Sequence, residues 1–285
     1  MTGPAAQRRP SELALRTVSG VILALAAIGI AWLGGPAFGL FWTLAGCVVG
    51  VEWAWLATPD PAARRRAARV VAVTLGGAGA LFTLGRTLGL DVGVTVPLAM
   101  LLTGAVVAAA IARPATIAGF GVLYGAAVFL GAILLRSDPA DGLLAILWLF
   151  AVVWGADVAA YAVGRTVGGP KLAPALSPKK TWSGAIGGAV AGPALGVGVA
   201  AWWGVESLWP LAVVGFAVAV ATEVGDLFES GAKRRFGAKD SGQIIPGHGG
   251  AMDRLDGFLV AATLAAIIGL SRGGLDAAAQ GLMRW

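Results

Sequence analysis

Long apolar stretches dominate this chain, broken by charged residues or Pro/Gly clusters at intervals close to the length of a membrane-spanning helix. The pattern predicts nine spans, near residues 17–34, 37–58, 70–90, 93–112, 116–135, 142–163, 184–204, 208–229 and 257–271. The ninth is brief and needs a helix turn beginning around Met252 to reach across. The expected fold is all-α, a polytopic bundle of transmembrane helices forming one integral membrane unit. Within it, residues 1–136 read as scaffold, lipid access or oligomer surface, and residues 137–285 as the chemically equipped part. The first run follows Arg8, Arg9 and Arg16 and is read as a retained anchor, being long for a secretory signal and without a convincing cleavage site.

Composition agrees with lipid as the main solvent. Of 285 residues, 58% are hydrophobic and 13% charged, with mean hydropathy +0.81, against about 25% charged in ordinary soluble domains. Cys47 is the one cysteine, which excludes an intrachain disulfide. A net charge of +6 raises the question of nucleic acid, but the placement of the charges answers it. With the N-terminus in the cytoplasm, the inside segments collect Arg64, Arg65, Arg66, Arg69, Arg113, Arg165, Lys171, Lys179, Lys180, Lys233, Arg234, Arg235, Lys239 and Arg254, besides the N-terminal arginines. Only Arg136, Arg272 and Arg284 fall outside, with Arg86 in the third span. This is the positive-inside rule, and no nucleic-acid surface is implied. Both long polar interruptions, 164–183 and 230–256, then share the cytoplasmic face, where nucleotides are.

Two constellations carry candidate chemistry. In the first, Asp157, Tyr161 and Arg165 recur every four residues at the end of the sixth span, so they form one stripe. A carboxylate inside a span is costly and usually faces a bundle interior or a wet cavity. Ser177, Pro178, Lys179, Lys180 and Thr181 follow, hydroxyls and ammonium groups suited to a phosphate, although an ordinary basic loop with a helix cap has the same look. In the second, Asp226, Glu229, Ser230 and Lys233 recur at helical spacing with Glu223, while Asp253 and Asp256 lie three apart where the ninth span begins. Carboxylates from two helix ends suit a hard divalent cation such as Mg2+, which binds one or two carboxylates plus substrate phosphates. Lys233, Arg234, Arg235, Lys239 and Arg254 supply charge for a polyphosphate, and Gly249 and Gly250 next to His248 allow backbone amides to approach an anion. His248 reads as a phosphate contact or proton donor before a metal ligand. Glu52, inside the second span, reads as a structural or coupling residue before a catalytic one.

The stretch SGAKRRFGAKDSGQIIPGHGGAMDRLD, from Ser230 to Asp256, resembles the signature of the phosphatidate cytidylyltransferases, or CDP-diacylglycerol synthases. Ser230, Lys233, Arg234, Lys239, Asp240, Pro246, His248, Gly249, Gly250, Asp253, Arg254 and Asp256 carry the likeness, and the segment from Asp157 to Thr181 is similar to the family's other recurrent stretch. Ala232 and Ala251 are smaller than the family's usual residues, and Ser183 stands where members commonly have Glu or Gln. The resemblance implies transfer of the cytidylyl group of CTP to phosphatidate, releasing pyrophosphate, in a bacterial plasma membrane with the site facing the cytoplasm. It implies Asp226 and Asp253 as metal ligands with Asp256 beside them, Mg2+ as cofactor with a second cation left open, and a homodimer. It places Lys239, Arg234 and Arg254 on phosphates, Asp240 on the phosphates or ribose, and Ser177, Lys179, Lys180 and Thr181 on nucleotide or lipid phosphate. The competing class is a secondary transporter, with Glu52, Asp157 and Glu223 as an ion path.

Overall fold

A computed structural model of the chain describes residues 12–89, 94–113, 116–242, 244 and 249–285, with side chains from residue 18 onward. It is a helical bundle. The helices are α1 (Glu12–Leu33), α2 (Gly35–Ala57), α3 (Pro61–Leu88), α4 (Thr95–Ile111), α5 (Phe120–Arg136, entered through a 3-10 turn at Thr116–Gly119), α6 (Gly142–Thr166), α7 (Trp182–Trp202), α8 (Trp209–Arg235), α9 (Met252–Gly273) and the short α10 (Ala278–Met283). Among the described residues, seven helices are long and apolar enough to cross a membrane: α2, α3, α5 with its 3-10 turn, α6, α7, α8 and α9. The chain is an integral membrane protein on that count. The other two predicted spans correspond to shorter apolar helices, Val18–Leu33 and Thr95–Ile111.

Three boundaries depart from the hydropathy pattern, each for a local reason. α3 begins at Pro61, well before the apolar run. The Asp60 carboxylate caps it by accepting from the Ala63 amide at 2.6 Å, and proline is pre-organised for a first turn. The cluster Arg64–Arg69 is therefore helical. α8 runs on to Arg235, so Ser230, Lys233 and Arg234 lie on helix where a polar connection was expected, their cations suiting a helix C-terminus. Residues 171–181 form an antiparallel hairpin, β1 (Lys171–Ala173) paired with β2 (Ser177–Thr181), a small exception to the all-α expectation. Pro170, Pro174 and Pro178 exclude a helix there.

Glycine ladders bring the helix backbones together. On α7, Gly184, Gly188 and Gly192 face the α6 carbonyls of Ala160, Ala156 and Val152, where an added Cβ would sit 2.6–2.7 Å from oxygen. On α2, Gly46 and Gly50 face the α5 carbonyls of Gly125 and Gly121 at 2.5 and 2.7 Å by the same measure. Small residues at four-residue spacing replace hydrophobic burial as the packing device where the solvent is itself apolar. α5 in turn lies against α9, with Gly131 on the Ala262 carbonyl.

The two ends of the bundle differ. At one end Arg136 holds the Ala31 carbonyl at 2.7 Å, Arg86 pairs with Asp276 at 3.4 Å and Arg284 with Asp141 at 2.7 Å. At the other end meet the C-termini of α2, α6 and α8, the N-termini of α7 and α9, and the hairpin. Replacing Gly192 by Val is expected to lower the thermal midpoint in detergent, since overpacking against fixed backbone costs about 1–3 kcal/mol. Gly198→Ala, at a position with open space around it, serves as the control and leaves the midpoint unchanged or higher. Equal midpoints for the two variants would contradict this packing.

Candidate active site

The eighth helix ends in an acidic stripe because Glu223, Asp226 and Glu229 follow one another at three-residue spacing. The ninth begins with Asp253 and Asp256 at the same spacing. The two helix ends can meet closely because Asp226 and Asp256 each have a glycine beside them. A Cβ on Gly225 would lie 2.5 Å from the Asp256 carbonyl, and one on Gly257 would lie 2.6 Å from the Thr222 methyl group. With those side chains absent, Asp226, Glu229 and Asp256 bring carboxylate oxygens within 4.8 Å of one another. At an effective dielectric of ~20, each such pair of charges repels by about 3–4 kcal/mol.

Glu229 is fully buried, its Oε2 lies 2.6 Å from Lys233 Nζ, and its Oε1 has no hydrogen-bond partner among the described residues. A buried carboxylate oxygen without a donor, inside a cluster of like charge, fits a bound cation. Among the described residues, this trio is the acidic group that could hold a metal ion. Asp253 adjoins it beside Glu229. Its Oδ1 takes the same Lys233 Nζ at 2.6 Å, and its Oδ2 accepts from Gly250 N, Ser241 N and Ser241 Oγ at 2.8, 3.0 and 2.9 Å. The structure thus joins Asp226 and Asp256 with Glu229, a residue that spacing placed on the acidic stripe but not among the ligands.

The hairpin faces these helix ends. Lys180 reaches Asp226 Oδ2 at 2.6 Å and Glu223 Oε1 at 2.9 Å. Burial alone would lower the Lys180 ammonium, but Asp226 and then Glu223 outweigh it and hold its pKa above the ordinary value. Thr181 caps α7 through Gly184 N at 3.2 Å, which ends the hairpin and starts the helix. Between hairpin, α6, α8 and α9 lies a cavity of about 780 Å³. Asp157, Tyr161 and Arg165 line it from α6, with Arg165 donating to the Tyr161 hydroxyl at 2.9 Å. Lys171, Lys179, Lys180 and Thr181 line it from the hairpin, and Asp226, Lys233, Asp240, Asp253, Arg254 and Asp256 from the opposite wall.

Not every expected residue faces this space. Ser230 lies one turn below, its hydroxyl 3.4 Å from Asp226 Oδ1. Arg234 is exposed and donates to the Ala238 carbonyl at 3.2 Å, Lys239 is exposed, and Ser177 sits at the far end of β2 opposite Ala173. Gly249 adopts φ 82°, a left-handed conformation suited to glycine. Gly250 gives its amide to Asp253, so that donor serves the chain's own carboxylate. His248 lies outside the described residues. A second cavity, of about 610 Å³, opens at the other end of the bundle among Arg86, Arg136 and Asp138, remote from all of this.

Fold and site together define an integral membrane enzyme with a cationic, acid-lined cavity at one end of its bundle, matched to phosphate chemistry. A model of the cytidylyltransferase family matches residues 14–271, and the chain belongs to that family. It is accordingly a nucleotidyltransferase. It is similar to the phosphatidate cytidylyltransferase of Brucella suis biovar 1, 38% identical over 265 residues, covering 91% of this chain and 94% of that one. It is also 42% identical over 145 residues to the phosphatidate cytidylyltransferase of Staphylococcus haemolyticus, covering 50% of this chain and 55% of that protein. The carrier reading loses its footing, since Glu52 and Glu223 are committed to bonds at the same end of the bundle as the cavity.

Ser183, where a longer acid or amide was noted for the family, donates to the Gly168 carbonyl and lies 3.1 Å from Thr181 Oγ1. It ties the entrance of the hairpin to its exit. Ser183→Glu is expected to lower turnover several-fold in a detergent assay, because the longer side chain loses both contacts. Unchanged or raised turnover would show that the hairpin does not depend on them.

Proposed function

We propose that this chain transfers the cytidylyl group of CTP to phosphatidate, giving CDP-diacylglycerol and pyrophosphate. One observation carries the reading: Asp226 and Asp256, with buried Glu229 behind them, face a lysine-bearing hairpin across a single cavity. In the reaction, a phosphate oxygen of phosphatidate forms a bond to the α-phosphorus of CTP, and the bond from that phosphorus to the bridging oxygen breaks. The nucleophile is already an anion, so no covalent enzyme intermediate is needed. The protein has to position two polyanions and offset their repulsion.

Asp226, Glu229 and Asp256 would hold a divalent cation of the magnesium type, with Asp253 adjoining them through Lys233. Such an ion supplies neutralisation of phosphate oxygens. The remaining work belongs to the chain. Lys179, Lys171, Arg165 and Arg254 line the cavity as phosphate contacts, and Lys180 keeps its charge at neutral pH through Asp226 and Glu223. Lys233 is fixed between Glu229 and Asp253, so its ammonium presents one orientation. Asp240 on the rim suits the ribose or the phosphates.

The bilayer supplies the second substrate. Trp182 at the start of α7 and Trp55 near the end of α2 are exposed at the site end, while Trp32, Trp202 and Trp209 are exposed at the other. Exposed tryptophans mark the levels where a bilayer meets water. The cavity then lies at the depth of lipid headgroups. The basic residues of this end support a site that faces the cytoplasm from a bacterial plasma membrane.

Asp256→Asn and Asp253→Asn are each expected to lower CTP-dependent CDP-diacylglycerol formation by about 10²-fold or more, with the protein still folded in detergent. The assay uses purified protein, phosphatidate and magnesium with each of the four nucleoside triphosphates, scoring pyrophosphate and liponucleotide. Product with CTP alone supports the reading. Full turnover in Asp256→Asn would remove that residue from the site, and no liponucleotide from the unaltered protein would overturn the reading itself.

A further inference from the structure

Glu52 belongs to α2, a helix otherwise packed as scaffold, and is only 5% exposed. Its Oε1 accepts from the Ala251 amide at 3.1 Å, and its Oε2 accepts from the Met252 amide at 2.8 Å. These are donors at the very start of α9, which has no side-chain cap of its own. A residue 200 positions earlier in the chain therefore acts as the cap. The Ser241 hydroxyl lies 3.1 Å from Glu52 Oε2 and 2.9 Å from Asp253 Oδ2. A hydroxyl has one proton, so Ser241 links the two carboxylates as a shared donor.

The neighbouring glycines fit the same carboxylate. A Cβ on Gly250 would lie 2.6 and 2.7 Å from the Glu52 oxygens, and one on Gly242 would lie 2.7 Å from Oε1. The backbone on both sides of the connection between α8 and α9 thus closes around Glu52. Its own helix is fixed by the Gly46 and Gly50 contacts with α5, so the carboxylate has a rigid mount.

We propose that Glu52 is a positioning residue for the transfer reaction: acting through Ser241 and the first turn of α9, it fixes Asp253, and through Asp253 the Lys233 ammonium, toward the cavity. The inference rests on the reading that Asp253 serves the reaction. A merely structural Glu52 would be felt in stability alone. A positioning Glu52 is felt in kcat, and through Ser241.

The test compares Glu52→Gln, Ser241→Ala and the double variant in the detergent-purified full chain, with Asp253→Asn alongside. Glu52→Gln and Ser241→Ala are each expected to lower kcat by about tenfold, in keeping with a small misplacement of reacting groups. KM for CTP and phosphatidate stays within about twofold, and the double variant is no slower than the slower single one. Hydrogen exchange at residues 250–253 is expected to quicken in Glu52→Gln. Wild-type kcat in both single variants, or losses that multiply in the double, would overturn the proposal. If Glu52→Gln fails to fold, Glu52→Asp, which keeps the charge but shortens the reach to Ser241 and the Met252 amide, takes its place, with about a tenfold loss of kcat expected and wild-type kcat overturning the proposal. Full activity of Asp253→Asn would instead sink the underlying reading of the site. An inactive Asp253→Asn beside unaffected Glu52→Gln and Ser241→Ala would sink the Glu52 proposal only.

Discussion

Three carboxylates forced together at the end of an apolar bundle are the constraint around which this structure is arranged. Asp226, Glu229 and Asp256 come from two helices, and their oxygens lie within 4.8 Å. Such a cluster is unfavourable unless positive charge answers it. Two lysines do so in part. Lys180 bridges Glu223 and Asp226, and Lys233 bridges Glu229 and Asp253. Glu229 Oε1 still has no donor among the described residues. A buried acidic cluster of this kind could bind a metal ion, and on the proposed reading that ion answers the remaining charge.

Packing supplies the closeness that electrostatics resists. Gly225 and Gly257 let α8 and α9 approach next to the very residues that repel each other. The α7 ladder of Gly184, Gly188 and Gly192 holds α6 and α7 as one unit, which carries the hairpin and its lysines to the same end. The early helices take part as well. α2 is anchored on α5, α5 on α9, and Glu52 delivers its carboxylate to the first turn of α9. The contact from Glu52 to the first turn of α9 crosses the division drawn near residue 136.

Much of this was legible in the sequence, and what was not has identifiable causes. Apolar runs located the helices, because burial in lipid demands them and little else competes. They failed at polar helix ends: the Asp60 cap extends α3 through Arg64–Arg69, and α8 continues through Lys233 and Arg235. Hydropathy carries no information about a cap. The hairpin at 171–181 was hidden in a loop whose prolines ruled out helix without indicating strand pairing. Spacing did bring out the acidic stripe and the Asp253–Asp256 pair. It could not rank Glu229 against Asp253 as partner of Asp226, since that depends on how two helices cross. Gly225 and Gly257, each next to an aspartate, were the available hint of a close crossing. The role of Glu52 depends on tertiary contact across 200 residues, for which no local pattern exists.

On the proposed reading, Asp226, Glu229 and Asp256 share one divalent cation beside the cationic hairpin. An experimental structure of the full chain with manganese and a non-reacting CTP analogue tests it most directly, through anomalous scattering from the metal. The account predicts a metal peak bounded by oxygens of those three residues, with the triphosphate extending toward Lys179 and Lys180. A peak elsewhere in the cavity, or a triphosphate bound at the opposite end near Arg86 and Arg136, would contradict it.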